Sequence, residues 1–307
     1  MTSAAASPRT IAFVGLGVMG EPMCRNLAQK SGVPVRAFDA QPEALQRLGA
    51  HGVRACASLA EAARGADLVF LSLPSGEVVH EVATARDGLL ACTHAGQTVV
   101  DLGTSPVDTT RALAALFAER GAVFVDAPVA RTRAAAEAGQ LSVMVGAEAD
   151  VFERLRPLIG TFGSDVTRCG PVGCGQVVKI LNNMVLFEAV VALSEAKAIG
   201  ERAGVDASLL FETLAKGSAD SFALRNHGMK AMLPGDFPQR AFSVQYALKD
   251  LLYALRLAEQ TGVNARGAKT ADAWLRAAIE AGFGEQYHPV ISRLIASDPK
   301  APAAQSD

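Results

Sequence analysis

Short apolar segments alternate with helical patterns along the first half of the chain. The predicted strands are rich in β-branched and other apolar residues and occupy 11–14, 35–39, 68–73, 98–102, 123–125 and 141–145. Helical patterns lie between them, for example at 43–48, 58–64 and 109–120. Strands that alternate with helices form right-handed βαβ units. The first half therefore predicts an α/β domain with a doubly wound parallel sheet.

The pattern changes after Gly173 and is helical almost throughout from Gln176 to about residue 297. Glycine and proline punctuate this half, and strand-like alternation is absent from its sequence. We therefore predict an α/β domain over residues 8–172 and an all-α domain over 173–298, joined by a long helix that starts near residue 174. Both ends of the sequence, 1–7 and 299–307, are expected to be disordered tails.

The first predicted strand runs directly into the glycine-rich turn Gly15-Leu16-Gly17-Val18-Met19-Gly20, and a helical pattern follows. Gly15 makes the tight turn, Gly17 lets the backbone approach a pyrophosphate, and Gly20 lets helix and strand pack closely. The amide groups and the dipole at the start of a helix attract phosphate oxygens. This segment predicts a dinucleotide site in a Rossmann domain, and a structural turn rich in glycine is the alternative.

An acidic residue, Asp39, ends the second predicted strand. Dinucleotide-binding domains place an acid about 20 residues after the glycine turn, where its carboxylate binds the ribose 2′-hydroxyl and repels a 2′-phosphate. We therefore expect NAD as the cofactor, with NADP disfavoured. Arg36 is the cation nearby, but it lies on the opposite face of the strand and is not expected to reach a 2′-phosphate.

A second group of polar residues lies at the start of the long helix, where Gln176, Lys179 and Asn183 stand among apolar neighbours. Residues four apart share one face of a helix, so Lys179 and Asn183 point the same way, with Gln176 one turn before the lysine. An unpaired ammonium is costly to bury. The lysine therefore either lines a polar cleft as a general acid or base, or extends into solvent as a surface lysine.

Five motifs in order along the chain together resemble the β-hydroxyacid dehydrogenase family. They are Gly-x-Gly-x-Met-Gly-x-Pro-Met at 15–23, Asp-Leu-Gly-Thr at 101–104, Asp-Ala-Pro-Val at 126–129, Gly-x-Gly-Gln-x-x-Lys-x-x-Asn-Asn at 173–183 and Phe-x6-Lys-Asp at 242–250. The resemblance implies a Rossmann domain, a helical domain, a homodimer or homotetramer, and a nicotinamide cofactor without a metal. The family includes 3-hydroxyisobutyrate dehydrogenases and reductases of tartronate semialdehyde and sulfolactaldehyde.

The resemblance also implies roles for individual residues. Lys179 matches the catalytic lysine, which exchanges a proton with the substrate oxygen as hydride is transferred. Asn183 matches the residue that orients the substrate, and Gln176 of the same motif is expected beside it. The cofactor side of the site is implied by matches to residues that flank the nicotinamide and its ribose, and to a lysine that closes the site: Leu73, Pro74, Thr104 and Lys249.

The segment expected to bind substrate departs from the common family pattern. Ser-Gly-Gly usually follows Asp-Ala-Pro-Val, whereas this chain has Ala130-Arg131-Thr132. Ala130 has no side-chain hydrogen bond to offer, and the planar guanidinium of Arg131 suits an anion with several oxygens. Sulfolactaldehyde reductases have a similar Gly-Arg-Thr at this point. The loop therefore favours an anionic tail, either a sulfonate or a carboxylate, and a solvated Arg131 is the simpler alternative.

Charge and composition restrict the other partners. With 29 basic and 31 acidic residues and no long basic block, nucleic acid is not expected as a partner. The most apolar stretch, 177–193, contains Lys179, Asn182, Asn183 and Glu188, so we expect no membrane span. Five scattered cysteines suit reduced thiols in the cytoplasm, and the separated histidines predict no metal site.

Two other functional classes share parts of this pattern. Imine reductases have the same architecture but usually replace the catalytic lysine, which this chain retains as Lys179, and 6-phosphogluconate dehydrogenases need a much longer helical domain. A non-catalytic nucleotide-binding module is the alternative outside enzymes. Joint retention of Lys179, Asn183 and Thr104 argues against it.

Overall fold

The computed structural model describes residues 8–239 and 241–297, and the predicted tails at 1–7 and 299–307 lie outside these ranges. The chain forms two compact units that divide between Lys179 and Ile180. The strands of the first unit are β1 Ile11–Val14, β2 Val35–Phe38, β3 Arg54–Ala55, β4 Leu68–Leu71, β5 Thr98–Asp101, β6 Val123–Asp126, β7 Val129–Ala130, β8 Leu141–Gly146 and β9 Gly163–Gly170. Its helices are α1 Gly20–Lys30, α2 Pro42–Gly49, α3 Leu59–Ala63, α4 Gly76–Thr84, α5 Leu89–Cys92, α6 Val107–Ala118, α7 Arg133–Ala138 and α8 Ala149–Ile159.

The strands form one sheet in the order β3-β2-β1-β4-β5-β6-β8-β7, with β9 paired to β8. Every residue of β1 and β4 is buried, since helices cover both faces of a doubly wound sheet. Separate apolar clusters fill the two faces, one containing Phe13 and Phe70 and the other Val69 and Phe117. Strand β1 lies between β2 and β4, and the connections from β1 to β2 and from β3 to β4 run in opposite directions across the sheet. This reversal of strand order opens a crevice at the carboxyl ends of β1 and β4.

The sheet is parallel from β3 through β6 and mixed beyond it. Strand β8 is antiparallel to both β6 and β7 and parallel to β9, whereas the sequence pattern predicts parallel pairing throughout. It also does not name β3, β7 or β9. The first two are only two residues long. Only one of the eight positions of β9 is buried, so it lacks the apolar run that marks a buried strand.

The second unit is helical, and the helix α9, Cys174–Arg202, begins in the first unit and continues into the second. The other helices are α10 Ala207–Leu214, a π-helix at Leu224–Met232, α11 Val244–Gln260, α12 Arg266–Glu280, a 3₁₀ turn at His288–Val290 and α13 Ile291–Ser297. The structural division at Lys179 falls later than the predicted boundary at 172/173. The reason is that the first turn of α9 is hydrogen-bonded to the α/β unit through Gln176.

Helix α9 is long and apolar enough to span a membrane by length and composition, with a mean hydropathy of 1.7 over its most apolar window. The expectation that its polar residues exclude this on composition alone is therefore wrong. Core helices pass the same test, and the buried side of α9 carries the polar residues Gln176, Asn183 and Ser194. Polar side chains that are buried and hydrogen-bonded are the mark of a helix packed inside a protein.

Two buried histidines lie in the core of the helical unit. His227, on the π-helix, contacts Tyr287 through a hydrogen bond between Nδ1 and the phenol, and its ring lies 5.1 Å from that of His288. Phe187 and Phe242 pack edge-on against His288, which is fully buried. Burial lowers the pKa of His227 to about 4. Burial, with a further contribution from His227, lowers the pKa of His288 well below its ordinary value.

This pair predicts that acid destabilises the protein. Above about pH 6.5 the imidazole is neutral in both the folded and the unfolded state. Below that pH the unfolded chain takes up the proton first, so the free energy of unfolding falls as the pH approaches 4. For His227 the shift from 6.5 to about 4 corresponds to about 3 kcal/mol. Urea unfolding between pH 7 and 4 should therefore show a steeper loss in the wild type than in His227→Gln.

Replacement of the exposed His80 by glutamine is the matched control and should leave the pH profile as in the wild type. If His227→Gln and the wild type lose stability in parallel, burial of the neutral imidazole does not contribute to acid sensitivity.

Candidate active site

The glycine turn between β1 and α1 has the geometry that a pyrophosphate requires. Gly15 has a φ of +91°, and a Cβ there would lie 2.2 Å from the carbonyl oxygen of Ser72. A Cβ at Gly20 would lie 2.1 Å from the carbonyl oxygen of Gly15. Gly17, by contrast, is exposed and faces open space, and the side chain of Val18 is exposed as well. Leu16 is buried, and Met19 is half-buried. The turn is therefore a rigid cradle with one open position, which fits a dinucleotide phosphate.

Asp39 follows β2 and is tied to this cradle. Its Oδ2 accepts a hydrogen bond from the Leu16 amide, and its Oδ1 accepts one of 2.7 Å from the amide of Gln41. The carboxylate is thus fixed at the carboxyl end of β2, where dinucleotide domains bind the ribose. Arg36 instead donates to the carbonyl oxygen of Arg64, as expected for the other face of β2.

The loops that follow β4 and β5 lie next to each other at the same edge of the sheet. A Cβ at Gly103 would lie 3.0 Å from the carbonyl oxygen of Leu73, so the two loops pack closely at this point. Pro74 is exposed and Thr104 half-buried. Asp101 ends β5 and accepts hydrogen bonds from the Gly103 amide at 2.8 Å and the Ser105 hydroxyl at 2.7 Å, which fixes the loop around Thr104.

Gln176, which its motif predicts to bind substrate, lies in the first turn of α9. Its side chain is fully buried and makes two hydrogen bonds within the α/β unit. The Oε1 accepts from the amide of Ser105 at 3.0 Å, and the Nε2 donates to the carbonyl oxygen of Gly103 at 2.9 Å. Through these two bonds Gln176 fastens the start of α9 to the loop that carries Thr104.

Asp126, at the end of β6, holds the start of α9 from the other side. Its carboxylate is fully buried and accepts backbone hydrogen bonds from Gly173 at 2.7 Å and from Gln176 at 2.8 Å. Burial raises the pKa of Asp126 to about 6, against the opposing effect of these amides. Space for the carboxylate depends on glycine, because a Cβ at Gly146 would lie 2.3 Å from its Oδ1.

In the sequence Asp126 stands only within a loop motif, which does not by itself indicate this capping role. A usable signal is present, because Asp101 and Asp126 stand side by side in the register of β5 and β6. Each is a lone acid that ends a buried strand. Buried carboxylates require hydrogen-bond donors, so a pair in matching positions indicates a structured edge.

Lys179 lies one turn after Gln176 and is buried to about nine-tenths, with a relative exposure of 9 %. Lys179 is therefore not an exposed surface lysine, which excludes that alternative. Asn183, one further turn along α9, is 2 % exposed. Helix α9 thus places both residues on its buried side, as their spacing predicts.

Within the helical unit, Asn183 is held by a carboxylate. Its Nδ2 donates to Asp250 at 2.7 Å, and Asn182 donates to its Oδ1 at 3.1 Å. Lys249, expected near the cofactor, forms an ion pair of 3.1 Å with Asp250 and lies over the ring of Tyr246 at 4.7 Å. Asp250 therefore joins two residues that the motifs single out separately.

The segment Ala130-Arg131-Thr132 connects β7 to α7. Ala130 is half-buried at the end of β7, and the Thr132 hydroxyl caps α7 by accepting from the Ala135 amide at 3.4 Å. Arg131 is directed toward β9, where its Nη2 lies 2.7 Å from Oδ2 of Asp165. The guanidinium is thus already paired with a carboxylate, which does not support the expectation that it receives an anionic tail.

Metal ligation is not a feature of the described residues. In the ranges 8–239 and 241–297, no group of three or more His, Cys, Asp and Glu side chains could hold an ion. The five cysteines, all within these ranges, are free thiols.

Models of two protein families match consecutive parts of the chain. Residues 10–170 match the NAD-binding domain of 6-phosphogluconate dehydrogenase, and residues 173–295 match the NAD-binding domain of NADP-dependent 3-hydroxyisobutyrate dehydrogenase. These two matches cover both structural units.

Individual relatives agree with the family models. The chain is 36 % identical to 2-(hydroxymethyl)glutarate dehydrogenase of Eubacterium barkeri over 82 % of this chain and 83 % of the relative. It is 33 % identical to the NAD-dependent L-serine dehydrogenase of Pseudomonas aeruginosa, over 93 % and 97 %. The structure of Mycobacterium tuberculosis 3-hydroxyisobutyrate dehydrogenase with L-serine superposes with a TM-score of 0.85 at 32 % identity, covering 94 % and 99 %. The chain therefore belongs to the β-hydroxyacid dehydrogenase family and is an oxidoreductase that acts on CH–OH groups.

Proposed function

We propose that the protein is an NAD-dependent dehydrogenase of a small 3-hydroxy acid with a carboxylate tail, and that Lys179 is its general acid and base. The observation that carries this proposal is the position of Lys179. It is buried one turn into a helix whose start is fastened by Asp126 and Gln176 to the carboxyl ends of β5 and β6. That edge of the sheet is where open α/β folds bind their ligands.

The chemistry follows from what these residues can do. When bound, the nicotinamide supplies the hydride acceptor for the carbon that carries the hydroxyl group. Lys179 in its neutral form takes the hydroxyl proton as the carbonyl forms, and its ammonium returns that proton in the reverse reduction. Asn183, whose side chain is held by Asp250, is the residue proposed to orient the substrate. Burial of Lys179 and Asn183 keeps competing water away from the proton.

A carboxylate substrate is favoured over a sulfonate by the contacts of Arg131. A sulfonate tail with three oxygens would need the guanidinium of Arg131 to be available, and Asp165 already neutralises that guanidinium. Named relatives act on hydroxy acids with carboxylates, namely 2-(hydroxymethyl)glutarate and L-serine.

The test is a side-by-side assay of NAD-linked oxidation. The panel is 3-hydroxyisobutyrate, L-serine, 2-(hydroxymethyl)glutarate and 2,3-dihydroxypropanesulfonate. A preference for one of the carboxylates supports the proposal, and a preference for the sulfonate contradicts its substrate class. NADH binding without turnover of any of these or of a wider panel of aldehydes would instead favour a non-catalytic nucleotide-binding module.

NAD rather than NADP is expected because of Asp39. Replacement by asparagine removes the charge that repels a 2′-phosphate but keeps an oxygen that can accept from the Leu16 amide. The ratio of kcat/KM for NADP to that for NAD should rise about tenfold, which corresponds to about 1.4 kcal/mol. Steady-state kinetics with both cofactors measure the ratio, and the exposed Asp87→Asn is the matched control. An unchanged ratio in Asp39→Asn would remove Asp39 from cofactor selection.

A homo-oligomer is supported by an apolar stripe on α9. Val178, Leu181 and Val185 are spaced for one helix face and are exposed by 42 %, 39 % and 60 %. Exposed apolar residues in a continuous stripe are typical of association surfaces. Sedimentation equilibrium distinguishes a dimer or tetramer from a monomer, and a monomer would contradict this part of the proposal.

A further inference from the structure

Arg131 has a backbone conformation that normally requires glycine. Its φ is +89°, and it is the non-glycine residue with positive φ in the part of the chain that the structure describes. A Cβ disfavours this region, and side chains held there are usually found at functional sites. The common family pattern has glycine at this position of the loop. This chain therefore has an arginine in a turn conformation that suits glycine.

The side chain of Arg131 supplies contacts that a glycine cannot make. Its Nη1 donates to the carbonyl oxygen of Gln140 at 2.7 Å and to the hydroxyl of Ser164 at 3.0 Å. Its Nη2 lies 2.7 Å from Asp165, and Ser164 donates to the same carboxylate at 2.8 Å. The Ser164 hydroxyl and the Arg131 guanidinium keep the pKa of Asp165 below its usual range. The ion pair is itself partly exposed, at 41 % for Arg131 and 56 % for Asp165, so it contributes little alone, and the restraint comes from the network of hydrogen bonds that fixes the guanidinium.

These contacts cross the sheet. Ala130 of β7 is paired with Ser142 of β8, and Ser142 is paired with Asp165 of β9. Arg131 therefore reaches from the end of β7 over β8 to β9, and its guanidinium ties the turn to β9 and to Gln140, the residue before β8. The turn belongs to the segment that follows the Asp126-Ala-Pro-Val motif, so the tie acts on the loop expected to contact substrate.

We propose that Arg131 is a positioning residue whose side chain, clamped by Asp165 and Ser164, holds the substrate loop in its left-handed turn. In this view the arginine acts on substrate through the loop conformation and not by binding the anionic tail. The inference rests on the proposed function for its catalytic readout, while its structural readout is independent of activity.

Three substitutions in the full-length protein separate a clamp from an anion receptor. Asp165→Ala releases the guanidinium and should raise the KM for the hydroxy acid roughly tenfold, because a loop that is no longer preorganised must be ordered when the substrate binds. Arg131→Ala loses the clamp but keeps the Cβ, so its KM should rise at least as much. Arg131→Gly loses the clamp but suits a positive φ, so it should recover most of the loss. The affinity for NADH should stay constant in all three.

An anion receptor predicts a different pattern. A guanidinium freed by Asp165→Ala would bind the substrate more tightly and lower the KM, and Arg131→Gly would be as impaired as Arg131→Ala. Either result would overturn the proposal, as would a KM unchanged by Asp165→Ala. Arg133→Ala is the matched control, because it removes an adjacent arginine that pairs with Glu137 within α7.

Thermal unfolding provides the readout that does not depend on turnover. A strained turn predicts a higher Tm for Arg131→Gly than for Arg131→Ala, although glycine ordinarily lowers stability relative to alanine. If the wild type oxidises none of the hydroxy acids but this order of Tm values holds, the proposed function fails and the clamp stands. The reverse order of Tm values would overturn the clamp whatever the activity.

Discussion

Replacement of Lys179 by methionine is expected to lower kcat by about 10²- to 10⁴-fold, the usual contribution of a positioned general acid or base. Methionine keeps the length and apolar stem of the side chain, so α9 should stay packed while the group that exchanges the proton is lost. Lys179 lies away from the glycine turn in sequence and in a different element, so NADH should bind as in the wild type. Stopped-flow hydride transfer and NADH fluorescence titration measure the two quantities.

Lys197→Met is the matched control, because it removes a second lysine from the same helix. Lys197 forms an i,i+4 ion pair of 2.7 Å with Glu201 near the end of α9, and such partly exposed pairs contribute little. Its loss should leave kcat unaltered. Wild-type turnover by Lys179→Met would exclude the lysine as the proton-transfer group. Another polar residue would then have to transfer the proton.

Asp126→Ala is expected to lower the free energy of unfolding by about 3 kcal/mol at pH 7.5 and to reduce kcat as well. The alanine leaves two buried amides, those of Gly173 and Gln176, without their acceptor, and each orphaned group costs about 1–3 kcal/mol. The start of α9 is then held by the Gln176 side chain alone, so the position of Lys179 one turn later becomes less well defined. Urea denaturation and steady-state kinetics give the two effects.

Asp150→Ala provides the comparison for Asp126, since Asp150 is an exposed acid on α8 whose ion pair with Arg154 is long, at 3.9 Å. It should unfold like the wild type. Asp126→Asn should lie between the wild type and Asp126→Ala, because it retains one acceptor oxygen. Wild-type stability of Asp126→Ala would mean that the capping hydrogen bonds are replaced by water or by rearrangement of the helix start.

The strongest signals in the sequence concern features that are local along the chain. The glycine turn, Asp39 and the spacing of Lys179 and Asn183 each depend on a few consecutive residues or on helical periodicity, and the described geometry agrees with them. The buried parallel strands are equally visible because their apolar runs are continuous. Local geometry and burial therefore account for the part of the site that can be predicted.

Other features depend on contacts between residues far apart in sequence. The Gln176 side chain binds residues 71 and 73 positions away, so its motif gives no indication of these two hydrogen bonds. Arg131 is similar, because its type suggests an anion site, while its partner Asp165 lies on a strand with too few apolar residues to be predicted. Side-chain chemistry alone does not distinguish a group available to a ligand from one already paired.

The sharing of α9 between the two units has a consequence for biosynthesis. The buried carboxylate of Asp126 accepts backbone hydrogen bonds from Gly173 and Gln176, and the loop after β5 is bonded to the side-chain amide of Gln176. During translation, the nucleotide-binding half thus cannot complete its hydrogen bonding until the ribosome has released the opening turn of the following helix. Its final consolidation is coupled to synthesis of the helix that bears Lys179, so a nascent chain stalled before that point presents an unfinished edge to chaperones and proteases.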